Sequence, residues 1–128
     1  MWRERFGRVL LVVIGAMLVG LGLSGLVAPA QLLAPLDITL GSPHAYGGVR
    51  AHYGGMEFGV GVFLLAAAAT PALRRPGLLV ALAFVGGLVL GRTVSVLADG
   101  MPSGLGGRIF CAEIISTAAL LVALTGRN

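Results

Sequence analysis

The sequence predicts an all-α integral membrane protein: a single-domain bundle of four helices spanning the bilayer, with both termini in the cytoplasm. Three observations lead there. Of the 128 residues, 57% are hydrophobic and only 11% charged, whereas a soluble domain carries roughly 25% charged residues. The apolar residues gather into four runs, at about 7–28, 48–69, 77–98 and 108–124, each close to the roughly 20 residues a helix needs to cross the hydrocarbon core. The arginines, finally, alternate between the ends of those runs.

Span one begins behind Arg3, Arg5 and Arg8 and runs to Ala28. An arginine-rich start and Ala28-Pro29-Ala30 could mark a cleaved signal peptide. The apolar run exceeds the roughly 7–15 residues of a signal core, however, so it is read as a retained span. The 29–47 connection contains Pro29, Pro35 and Pro43, which break it up. Span two closes before Pro71 and Pro76, with Arg74 and Arg75 between them. Span three ends near Asp99, and Met101-Pro102-Ser103-Gly104 forms the turn into span four, which Arg127 follows. The 29–47 and 99–107 loops hold no arginine. Cytoplasmic loops concentrate positive charge, which sets the orientation.

Helices in lipid associate through close backbone approach, because apolar side chains gain nothing by leaving lipid. Span two carries Gly47, Ala51, Gly55 and Gly59 at four-residue spacing, and span three carries Ala83, Gly87, Gly91 and Ser95. Shorter versions are Ala16 and Gly20 in span one, and Ala112 and Ser116 in span four. These ladders predict close contact between spans two and three. Gly20-Leu21-Gly22-Leu23-Ser24-Gly25 matches the GxGxxG dinucleotide fingerprint, but it lies in a span without a preceding strand, so it is read as helix packing.

The chemistry concentrates in charges that the spans should exclude. Glu57 lies deep in span two, Arg92 in span three and Glu113 in span four; Arg50, Asp99 and Arg108 lie near span ends. A charged group at that depth costs a few kcal/mol even on the lenient scales. At about 1.5 Å of rise per residue, Glu57, Arg92 and Glu113 fall roughly 13, 10 and 8 Å below the outer ends of their spans. Arg50 and Glu57 are seven apart on one expected helical face with Tyr46 and Tyr53, and Arg92, Ser95 and Asp99 share another. The arithmetic is that of a neutral polar cluster of Arg50, Glu57, Arg92, Ser95, Asp99, Arg108 and Glu113. It would be either a structural lock that fixes helix neighbours or a polar cavity for a substrate, a proton or a lipid headgroup.

Other chemistries find little support. No GxSxG, HExxH or paired-cysteine motif is present. His44 and His52 with Asp99 match no metal-ligand spacing, so neither metal nor cofactor is expected. Cys111 is read as a small buried residue of span four. The net charge of +4 is scattered rather than gathered on a face, which argues against nucleic acid. The expected function is therefore binding rather than catalysis: an accessory subunit of a larger membrane complex in contact with membrane lipids. The alternatives are a small homodimeric transporter that uses the charged cluster, and a membrane enzyme acting on lipids or quinones.

The stretches Arg50-Ala51-His52-Tyr53-Gly54-Gly55 and Gly91-Arg92-Thr93-Val94-Ser95-Val96-Leu97-Ala98-Asp99-Gly100 resemble those of small bacterial four-helix membrane proteins known only as a domain of unknown function. The resemblance covers essentially the whole chain. It implies a multi-pass protein of the bacterial inner membrane, with Arg50, Tyr53, Gly54, Gly55, Arg92, Ser95, Asp99 and Glu113 as its marked positions; Glu57 falls outside that set. The chain is also similar in composition to a small four-helix accessory subunit found with actinobacterial Mce lipid-import complexes, which implies a part in lipid transport. No residue motif carries that second likeness.

Overall fold

In a computed structural model, which describes residues 2–125, the chain is all-helical, with no strand among the described residues. Helix α1 runs Trp2–Val27. Two short pieces follow, α2 (Pro29–Leu33) and a 3-10 turn (Ala34–Leu36). Next comes α3 (Pro43–Val49), which passes through a π-helical segment (Arg50–Met56) into α4 (Glu57–Ala69) without leaving helical backbone angles. A 3-10 turn (Pro71–Leu73) leads to α5 (Arg74–Asp99), and α6 spans Gly104–Thr125. Three helical stretches are long and apolar enough to cross a membrane: Trp2–Val27, Pro71–Asp99 and Gly104–Thr125. The path through α3, the π segment and α4 is continuous but divided into pieces of 7, 7 and 13 residues. Arg127, counted in the charge argument, lies outside the described residues.

The prolines of the first connection start helical turns rather than simply breaking the chain. Pro29, Pro35 and Pro43 each occupy a first-turn position, where the missing N–H has no partner to lose and the fixed φ suits a helix. Ser42 caps α3 by accepting a hydrogen bond from the Ala45 N–H at 3.1 Å. Gly100 stops α5 at φ 96°, a conformation that a Cβ would strain.

Packing is uneven along the bundle. Helix α1 lies along the π segment and α4, α6 lies along α5, and α1 also touches both α5 and α6. Leu11, Ile14 and Leu18 of α1 meet Leu64, Ala67 and Ala68 of α4, Leu78, Ala81 and Val85 of α5, and Leu120 and Ala123 of α6 in one core. All the α5 members come from its first half, and past Val85 no residue of α5 is buried. The π segment has no extended packing with α5 or α6. The bundle is closed at the Arg74 end and open toward the Asp99 end.

The closest helix contact is between α1 and the second helical path, not between the second and third. A Cβ on Gly22 would stand 2.5 Å from the Phe58 nitrogen and 2.8 Å from the Gly54 oxygen. One on Gly61 would stand 2.7 Å from the Val19 nitrogen. Gly25 abuts the Tyr53 carbonyl as closely. The ladder expectation is thus corrected. A Cβ on Gly47, Gly59, Gly87 or Gly91 would meet nothing within 4 Å, and one on Gly55 only its own helix at 3.8 Å. Ala51 and Ala83 are exposed, as are Ala16 and Gly20. The counted spacing found stripes of small residues but not the stripe that faces a neighbour. Helices α4 and α5 do approach closely, at the turn joining them, where a Cβ on Gly77 would lie 2.5 Å from the Ala67 methyl.

Candidate functional site: the intramembrane polar groups

The strongest polar contact joins α5 to α6. Arg92 Nε donates to Glu113 Oε2 at 2.6 Å. Both residues project from apolar helices whose extended contact along the bundle brings them level. The Glu113 side chain is 12% exposed and that of Arg92 35%, so the pair is sheltered on the carboxylate side and open on the guanidinium side. An ion pair gains strength where the dielectric is low, but only if both partners stay together.

Arg50 acts elsewhere. Its Nε donates to the Leu26 carbonyl at 3.1 Å, and its guanidinium carbon sits 5.7 Å from the centroid of the Tyr46 ring. The last carbonyls of a helix have no partner within it and carry partial negative charge. Helix α1 has no basic residue in its last turn, so Arg50 supplies one from the second helical path. Gly54, buried beside Leu26, permits the approach. The Arg50-Ala51-His52-Tyr53-Gly54-Gly55 stretch therefore clamps the start of the second path onto the end of α1, while Gly55 faces outward.

The seven residues do not form one cluster. Ser95 Oγ donates to Asp99 Oδ2 at 3.2 Å within α5. Glu57 is half-buried and Arg108 exposed, and neither has an ion-pair or hydrogen-bond partner among the described residues. The expectation that Arg50 and Glu57 share a face fails for a definite reason. A π helix closes its hydrogen bonds from i to i+5, so each turn holds more residues and a spacing of seven no longer returns to the same side. Arg50–Met56 is π-helical throughout; Arg50 reaches the Leu26 carbonyl of α1, and no ion pair joins it to Glu57.

The remaining chemistry-bearing residues are dispersed. His52 pairs with the Gly48 carbonyl at 2.9 Å and His44 is exposed. Among the described residues no three metal-ligating side chains gather. Cys111, expected to be buried, is exposed, because α6 turns few side chains inward: only Phe110, Leu120 and Ala123 are buried. Of the GxGxxG glycines, Gly22 and Gly25 are packing surfaces against the second helical path, whereas Gly20 has nothing near it. Sequence reasoning missed Gly15 and Gly61, which press α1 and α4 together; their seven-residue relation to Gly22 and Gly54 was the available signal.

This chain belongs to the family described as Domain of unknown function (DUF4345), which matches residues 6–124. No curated protein and no solved structure matches it.

Proposed function

We propose that the chain is a four-span protein of a bacterial inner membrane, with both termini cytoplasmic, that acts by binding as a small accessory subunit of a larger envelope assembly. The observation that carries this is the open Asp99 end. There α5 buries nothing past Val85, the small residues Gly87 and Gly91 have free space around them, and the Arg92 guanidinium is partly uncovered. In lipid, small-residue stripes admit the close approach of another helix, and an uncovered charge favours a protein neighbour over hydrocarbon. A larger partner laid against α5 would satisfy both. Lipid as the assembly's cargo rests on composition alone.

Purification of the tagged chain in mild detergent tests the assembly. A stoichiometric larger membrane protein supports the subunit reading. A clean homodimer supports the second reading, a small transporter, which the unpartnered Glu57 favours because intramembrane carboxylates serve as proton or substrate sites. Orientation is checked separately. In a Cys111→Ser background, a cysteine at Ser42 should react with an impermeant thiol reagent in intact cells, and one at Ala72 should not. The reverse pattern overturns the topology.

A further inference from the structure

The Arg74 end holds a cleft that none of the polar groups above uses. It encloses about 780 Å³ where the start of α1, the turn into α5 and the end of α6 converge, and its walls include Arg3, Glu4, Arg74, Arg75, Trp2 and Leu78. Arg3 Nη2 is engaged with the Ala123 carbonyl at 3.1 Å. Arg74 and Arg75 make no ion pair among the described residues, and Arg74 Nε is shut off from solvent with no acceptor. Arg74 thus brings to the cleft wall a guanidinium with no carboxylate partner among the described residues. Glu4 lines the same space but stands beyond ion-pair distance of both arginines. Helix α5 also begins here with no side-chain cap, which leaves the positive end of its dipole turned to the same region. Trp2 is 63% exposed and its ring lies 6.0 Å from that of Phe6, an aromatic pairing suited to the membrane–water boundary.

We infer that this cleft binds a phosphoryl anion, presented either by the headgroup of an anionic lipid or by a free phosphate compound. Guanidinium forks match the oxygens of a phosphate, and basic pockets at the ends of membrane helices hold phosphate headgroups. Among the described residues Arg74 and Arg75 stand on the wall with no carboxylate paired to either, which makes that side of the cleft basic. The Leu78 and Leu124 side of the wall suits the start of a lipid's acyl chains. The inference stands apart from the assembly reading, since the cleft lies at the closed end of the bundle.

The test titrates the full-length purified protein with phosphatidylglycerol, with phosphatidylcholine and with inorganic pyrophosphate, each alone, in a neutral detergent. Arg74→Gln with Arg75→Gln should weaken phosphatidylglycerol or pyrophosphate binding about 30-fold, given the known contribution of each interfacial basic residue. Arg5→Gln with Arg8→Gln removes the same charge from the same end outside the cleft walls, and should weaken binding by less than about threefold. Glu4→Gln should tighten it. Loss of phosphatidylglycerol binding alone identifies a headgroup site, and loss of pyrophosphate binding identifies a soluble ligand. Equal effects from the two double variants overturn the inference, as does equal affinity for phosphatidylcholine and phosphatidylglycerol when pyrophosphate does not bind. If the Arg74 and Arg75 variant does not purify, Glu4→Gln decides: unchanged affinity overturns the site.

Discussion

At the Arg74 end, Leu11, Leu64 and Leu120 are wholly buried, and side chains from α1, α4, α5 and α6 share one core. At the Asp99 end, α5 buries nothing past Val85, α1 packs through Gly22 and Gly25 on the second helical path, and the other contacts are polar: Arg92 to Glu113, Arg50 to the Leu26 carbonyl, Ser95 to Asp99. The difference separates two ways of holding helices together. The closed end relies on interdigitated apolar side chains and needs nothing from outside the chain. The open end is held pair by pair: the glycine seam and Arg50 join α1 to the second helical path, and Arg92 with Glu113 joins α5 to α6. It leaves two subassemblies, α1 with the second helical path and α5 with α6, that do not pack extensively on one another there.

The largest expected effect comes from the seam that runs through both ends. Gly22→Leu places a side chain where even a Cβ would meet the Phe58 and Gly54 backbone at 2.5 and 2.8 Å. Overpacking against backbone should destabilise by about 3 kcal/mol or more, read as loss of monodisperse protein on size exclusion. A well-behaved Gly22→Leu protein would mean that α1 and the second path are not closely packed.

Next is the ion pair, which sets how far the open end is self-sufficient. Arg92→Ala leaves the Glu113 carboxylate unpaired, and breaking a sheltered pair costs about 3–5 kcal/mol. Arg92→Met with Glu113→Met should recover most of the thermal stability, because removing both partners of such a pair is often nearly neutral. If the double variant is no more stable than Arg92→Ala, the pair is not an isolated unit, and the open end has further polar contacts.

A smaller effect is expected from Arg50→Met, which removes the charge at the end of α1 but keeps a similar stem. The loss should be about 0.3–1 kcal/mol, with hydrogen exchange rising first near Leu26. The smallest is Gly91→Leu. With free space at that position, the isolated chain should change by less than about 0.5 kcal/mol in stability. Co-purification of the larger partner should nonetheless fall. That contrast would sharpen the distinction between an end that is complete and an end that awaits a neighbour.

The helical class and three of the four expected membrane runs were legible because both follow from composition and run length, which are local properties; the 48–69 run is divided by the π segment and is not among the helices long and apolar enough to cross. That Arg92 lies among intramembrane carboxylates was legible for a related reason, but its partner, Glu113 rather than Glu57, was decided by which helices lie side by side. The GxGxxG stretch was rightly read as packing, since no strand preceded it. Three things were decided only in three dimensions. Spacing showed that small residues recur, but which stripe faces a neighbour depends on helix rotation, and so Gly22, Gly25, Gly54 and Gly61 carry the contact rather than the Gly55 and Gly87 ladders. The π segment at Arg50–Met56 has no signature in residue type, yet it separates Arg50 from Glu57 by changing the angle per residue. The divergence of the helices toward Asp99 follows from packing summed over the whole bundle, because no single residue's preference encodes the angle between two distant helices.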